Sequence, residues 1–124
     1  MRQIESEMQS ACVYWFRLQY PKLARLLFAV PNGGYRNKQT AKRMHKEGVV
    51  SGVADLILLV PSKSYHGLCV EMKTHEGRQT ENQKSWQTIV EQQGYLYKVC
   101  RSTTEFFFII NKYLENSLYI CKPN

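Results

Sequence analysis

Two apolar runs in this chain each carry an acid that a folded core has to accommodate. The first is Gly52-Val53-Ala54-Asp55-Leu56-Ile57-Leu58-Leu59-Val60, with Asp55 set among aliphatic side chains. The second, Leu68-Cys69-Val70, runs into Glu71-Met72-Lys73, an acid and a base two residues apart. Short runs with apolar residues on both faces predict central strands covered on either side. Side chains alternate along a strand, so Glu71 and Lys73 should share one face while Val70 and Met72 take the other. Two carboxylates and an ammonium then converge on one small region.

An ionised carboxylate buried without a partner costs several kcal/mol even after relaxation, so Asp55 must be paired, protonated or bound to a cation. A buried ion pair between Asp55 and Lys73 would satisfy Asp55 and leave Glu71 unexplained. A divalent cation held by Asp55 and Glu71 uses the surplus negative charge. Lys73 is then left to position or deprotonate a water, or to offset charge on a transferred phosphoryl group.

The remaining elements frame this pair. Apolar residues at Ile4, Met8, Ala11, Cys12, Trp15 and Leu18 have the spacing of one helix face over about residues 4–19, ended by Pro21. A short strand over 27–30 stops at Pro31-Asn32-Gly33-Gly34, a strong turn signal. A basic helix over about 38–47 carries Lys38, Lys42, Arg43 and Lys46 and ends at Gly48. The two acid-bearing strands, over 53–60 and 68–73, are expected to pair as a hairpin. Thr80 or Glu81 starts a helix through Trp86, Ile89 and Val90 that stops at Gly94, and a strand follows over 95–100. Ser102 or Thr103 caps a last helix over Phe106, Phe107, Ile110 and Leu114. The expected fold is α/β, a small mixed sheet flanked by helices, with residues 1–124 as one domain.

Seventeen Lys and Arg against ten Asp and Glu give a net charge of +7, which suits a protein facing phosphates and equally a soluble basic surface. Cys12, Cys69, Cys100 and Cys121 show no metal or redox spacing and read as reduced packing residues of an intracellular protein. His45, His66 and His75 are too scattered for a zinc site and read as surface residues. No apolar stretch approaches the roughly 20 residues of a membrane span, so a soluble, cytoplasmic protein is expected. The apolar tail Leu118-Tyr119-Ile120-Cys121 either packs on the sheet or joins a partner subunit.

An aspartate followed after a hairpin by Glu-x-Lys resembles the core of the PD-(D/E)xK nucleases. The surrounding sequence is similar to a stand-alone VRR-NUC (virus-type replication-repair nuclease) domain from about residue 5 to 108. The resemblance rests on Glu5 and Gln9, on Pro31-Asn32-Gly33-Gly34 with Arg36, and on Glu47-Gly48 leading to Gly52-Val53-Ala54-Asp55. It continues through Val70-Glu71-Met72-Lys73-Thr74, Gly77-Arg78, Glu81-Asn82-Gln83-Lys84-Ser85-Trp86 and Gly94-Tyr95. Ala54 stands where the family usually has proline, a position that shapes backbone and supplies no ligand.

The resemblance implies a restriction-endonuclease-like fold and a Mg2+- or Mn2+-dependent endonuclease acting on DNA. Asp55 and Glu71 would be metal ligands, the Met72 carbonyl a third, and Lys73 the catalytic lysine. A helical acid would complete the site, directly or through water: the family motif points to Glu5, with Glu7 the alternative on the other border of the same apolar stripe. Gln83 would reach back to the site from the start of its helix. Asn32, Gly33, Gly34, Tyr35 and Arg36, with Lys38, Lys42 and Arg43, would contact DNA, although the glycine segment also reads as a plain turn. The family's association with branched DNA makes a four-way junction the leading substrate and a homodimer the expected active unit, in a prokaryotic or phage-infected cell. Flap, nicked or duplex DNA cleavage is the alternative substrate class, and a non-catalytic nucleic-acid-binding module the alternative function class.

Overall fold

Helix, strand and turn signals resolve into the expected order in the computed structural model, which describes residues 2–31 and 37–117. Helix α1, Arg2–Gln19, buries Cys12 and half-buries Met8 and Trp15 of the expected stripe, but Ile4, Ala11 and Leu18 are exposed, and Phe16, outside that stripe, is fully buried one turn after Cys12. Pro21 breaks it into a 3-10 turn, Pro21–Leu26, which the sequence pattern did not announce and which buries Leu23. The chain continues as β1 (Leu27–Ala29), α2 (Lys38–Lys46), β2 (Leu56–Leu58) and β3 (Leu68–Met72). It ends with α3 (Glu81–Gln92), β4 (Leu96–Cys100) and α4 (Thr103–Glu115). Side chains cap three helices: Asn37 accepts from the Thr40 N–H, Thr80 from that of Gln83, and Ser102 from that of Glu105.

The sheet has the order β1-β2-β3-β4. β1 with β2 and β2 with β3 are antiparallel, as the expected hairpin requires, and β3 with β4 is parallel. A parallel neighbour needs a crossover, and α3 supplies it. One face of the sheet, with Leu56, Leu58, Leu68, Val70 and Met72, packs on α1 and α4 through Cys12, Phe16, Phe106, Ile110 and Leu114. Each such side chain, fully buried, contributes about 1.5–3 kcal/mol relative to exposure. Trp15 stacks on Phe107 at 4.3 Å, and the Tyr20 hydroxyl donates to Asn111 Oδ1 at 2.5 Å, tying α1 to α4. The opposite face carries Cys69 and Tyr97 with Trp86 and Val90 of α3. Alternation therefore directs Glu71 to the α3 face, between two helical layers.

β2 is shorter than the expected 53–60 at both ends, and at its start the reason lies in Asp55. From the pair Leu56↔Val70, the next rung toward the hairpin's open end would join Ala54 to Met72. Instead the Met72 N–H donates to Asp55 Oδ2 at 2.7 Å, so a side chain takes the place of a backbone carbonyl and the strand ends there. The Asp55 carbonyl accepts from the Val30 N–H at 2.8 Å, holding the same residue to the other neighbour.

The thiols of Cys12, Cys69 and Cys100 are free and buried, and burial pushes them up to about 12, 11 and 11, as expected of inert packing residues. His45, His66 and His75 are exposed. Cys121 and the apolar tail lie outside the described residues. Among the described residues no helix is long and apolar enough to cross a membrane.

Gly52 sets the approach to Asp55. Its φ is +85°, and a Cβ there would lie 2.5 Å from the Asn82 carbonyl oxygen at the start of α3. Gly48 has φ +103° with open space around it. Backbone strain alone costs about 1–3 kcal/mol at such positions. Gly52→Ala should lose that and an overlap cost besides, so urea denaturation is expected to find it less stable than Gly48→Ala. Equal losses would mean that the close approach to Asn82 does not position the segment before Asp55.

Candidate active site

At the end of β3 the strand presents Glu71 to the interior and Lys73 to the rim. Glu71 is 0% exposed, an unusual position for an acid. Its Oε1 accepts from Gln79 Nε2 at 3.1 Å and from the Tyr97 hydroxyl. Its Oε2 is buried and has no hydrogen-bond partner among the described residues. The Lys73 ammonium stands 3.6 Å from Oε2, close enough to pair electrostatically and too far for a good hydrogen bond.

Asp55, the residue just before β2, lies close enough to Glu71 to feel its charge. Burial raises its carboxyl above the usual aspartate range, against the bond from the Met72 N–H, and the charges of Glu71 and Glu5 raise it further while Lys73 lowers it. Asp55 is thus not held by an ion pair with Lys73, the simple structural alternative: Lys73 pairs with Glu71. Glu5 is half-buried and acts on Asp55 from α1, whereas Glu7 is exposed and takes a long bond from Gln3 Nε2 at 3.5 Å. Of the two helical acids, Glu5 is the one brought to the cluster.

Gln83 goes elsewhere than expected. Its Oε1 accepts from the Thr80 N–H at 2.8 Å while Thr80 Oγ1 accepts from the Gln83 N–H at 3.1 Å, a capping box that commits the side chain to the start of α3. The glutamine on Glu71 is Gln79, whose Nε2 also donates to Gln87 Oε1 at 2.8 Å. Neither Gln79 nor Tyr97 stood out in the sequence. Tyr97 lay in an expected strand, but only its parallel register, Cys69↔Tyr97, reveals that it shares a face with Glu71. Its phenol is pushed well above the usual range by burial and then by the bond to Glu71, so it remains a donor. Arg101 was also unmarked: its Nη1 donates to the carbonyls of Thr74 at 2.8 Å and Gly77 at 2.6 Å, fastening the loop that follows Lys73.

Lys38, Lys42 and Arg43 are exposed on α2, a helix with no buried residue. Among the described residues none of the three joins an ion pair. Asn32, Gly33, Gly34, Tyr35 and Arg36 lie outside the described residues. Among the described residues no three His, Cys, Asp or Glu side chains form a ready group for a metal ion. Any cation here would rest on two side-chain carboxylates, backbone and water. The Met72 carbonyl suits such a set, because a strand residue's N–H and C=O point to the same side and the Met72 N–H points at Asp55.

A family model described as "VRR-NUC domain" matches residues 4–104. A solved structure titled "VRR_NUC domain protein" superimposes with a TM-score of 0.79 at 25% identity, covering 90% of this chain and 88% of that one. No curated protein matches the sequence. The matched span runs from α1, with Glu5, into the start of α4.

The raised carboxyl of Asp55 has a stability consequence in metal-free protein. A folded-state pKa above the ordinary value of about 3.9 means full stability below that pH and loss as pH rises through the folded value. Asp55→Asn, melted in the presence of a chelator, should therefore be more stable than wild type at neutral pH, with the gain shrinking toward pH 4. A lower melting temperature at neutral pH would show that the Met72 bond outweighs burial.

Proposed function

Because the chain belongs to the VRR-NUC domain family, we propose that it is a divalent-metal-dependent DNA endonuclease worked by Asp55, Glu71 and Lys73. The observation that carries this reading is Glu71 Oε2, a buried carboxylate oxygen without a hydrogen-bond partner among the described residues, next to Asp55 and Lys73. Leaving such an oxygen unpartnered is costly, and a hard cation supplies the missing partner. The donors fit Mg2+ or Mn2+: Asp55, Glu71 and the Met72 carbonyl would hold it, with Glu5 joining through a water. When bound, the cation supplies an activated water and neutralises charge on the phosphoryl oxygens.

The Lys73 ammonium, 3.6 Å from Glu71 Oε2, would orient an attacking water or offset charge developing on phosphate, and would deprotonate that water only after giving up its own proton. Gln83 enters as the residue that fixes the turn carrying Gln79, through the capping box. The DNA backbone runs along α2, where Lys38, Lys42 and Arg43 offer exposed positive charge; for Asn32, Gly33, Gly34, Tyr35 and Arg36 the sequence resemblance is what supports DNA contact. Free buried thiols fit a reducing cytoplasmic setting.

The substrate is a branched DNA, with a four-way junction first. Two coordinated cuts by a domain with one such site call for a symmetric homodimer with one site per strand. Intact Asp55, Glu71 and Lys73 argue against a binding module that has lost its chemistry.

Purified protein given labelled junction, flap and matched duplex with Mg2+ or Mn2+ should cut the junction preferentially. Preference for flap or nicked duplex would move the reading to single-strand incision, and binding without cleavage would leave the non-catalytic module. Lys73→Ala should lower the cleavage rate by about 10²–10⁴-fold while junction affinity stays near wild type. Wild-type rates in that variant would remove Lys73 from the chemistry.

Replacing Lys38, Lys42 and Arg43 together by alanine should flatten the salt dependence of binding, by about 0.9 in log–log slope for each phosphate no longer neutralised. An unchanged slope would mean that α2 faces away from DNA. Light scattering should give twice the chain mass of 14.5 kDa, and dimers mixed with Lys73→Ala protein should nick a cruciform plasmid where wild type cuts both strands. Monomer alone, free and on DNA, would end the paired-incision model.

A further inference from the structure

The two oxygens of Glu71 are treated differently by their surroundings. Oε1 takes two donors, the Tyr97 hydroxyl from β4 and Gln79 Nε2 from the loop before α3. A carboxylate oxygen has two lone-pair directions, so these donors fill it. Oε2 takes none among the described residues and lies toward Lys73.

The donors are themselves held. Gln79 Nε2 donates to Gln87 Oε1 at 2.8 Å, and Gln87 Nε2 donates to Glu91 Oε2 at 3.2 Å, one turn further along α3. The Tyr97 ring is buried and meets Trp86 edge-on at 6.0 Å, so the phenol cannot swing away from Glu71. One side of the carboxylate is therefore anchored to β4 and α3 together.

We infer that Tyr97 and Gln79 are positioning residues that lock Glu71 in a one-oxygen orientation, leaving only Oε2 for the cation. This rests on the metal-dependent reading above and deepens it. Neither residue touches substrate or metal; both act through Glu71. Without them the carboxylate could rotate about its last side-chain bond, and the cation would meet a mobile ligand. Groups that orient a metal ligand typically matter by about 10–100-fold in affinity or activity.

The test is calorimetric titration of Mn2+ into metal-free wild type, Tyr97→Phe and, as a control, Tyr113→Phe. Tyr113 also buries a hydroxyl, which donates to the Val60 carbonyl at 2.7 Å away from the site. Tyr97→Phe keeps the ring and its packing on Trp86. It should bind Mn2+ about 10–100-fold more weakly than wild type, and its cleavage should lose kcat while KM for DNA stays unchanged. Tyr113→Phe should match wild type in both. Gln79→Ala, in the loop and outside the core, should weaken Mn2+ binding in the same direction, which keeps the test open should Tyr97→Phe fail to fold. Wild-type Mn2+ affinity in both Tyr97→Phe and Gln79→Ala would overturn the inference and leave the metal-dependent reading standing. Absence of Mn2+ binding by wild type itself would overturn that reading, and the inference with it.

Discussion

The bond from the Met72 N–H to Asp55 Oδ2, 2.7 Å long, is the point at which the sheet becomes a site. A backbone carbonyl in that place would have extended the antiparallel ladder by another rung. A carboxylate there ends β2 and turns the Met72 peptide toward an acid. It also brings that acid beside the end of β3, where Glu71 and Lys73, the residue just past the strand, stand on one side with the ammonium 3.6 Å from Oε2. The site is thus a strand ending in which a side chain substitutes for main chain.

The cost of that arrangement is spread over the surrounding elements. Glu71 is fully buried, and the fold satisfies half of it with Tyr97 and Gln79. Arg101 ties down the loop after Lys73, and Gly52 lets the segment before Asp55 pass close to the start of α3. Oε2 is left with the Lys73 ammonium 3.6 Å away and no hydrogen bond among the described residues, while Asp55 keeps the Met72 bond against burial and acidic neighbours that disfavour its charge. Among the described residues Glu71 Oε2 is the one buried side-chain oxygen or nitrogen without a hydrogen-bond partner, and a buried acid with a perturbed carboxyl beside it is the pattern on which the proposed site rests.

Much of this architecture could be read from residue patterns. Asp55 and Glu71 stand out because acids inside apolar runs are expensive, and Pro21, Gly48 and Gly94 punctuate the chain where elements end. The hairpin of β2 and β3 followed from adjacency. The features that escaped are those set by non-local register. Tyr97 reaches Glu71 only because β4 is parallel to β3 with Cys69 opposite Tyr97. Gln83 looked suited to the site by its position on α3, but the nearby Thr80 N–H takes its side chain for the cap, leaving Gln79 to fill the place. The choice between Glu5 and Glu7 likewise depended on which side of α1 turns to the sheet, and a stripe bordered by both could not decide it.

The central claim is that Asp55 and Glu71 Oε2 hold a divalent cation. Crystals grown with Mn2+ and measured near the manganese absorption edge test it most directly. The account predicts an anomalous peak in contact with Asp55, Glu71 Oε2 and the Met72 carbonyl, with Oε1 still bonded to Tyr97. A peak elsewhere, or full Mn2+ saturation in solution with no peak between these two carboxylates, would contradict it.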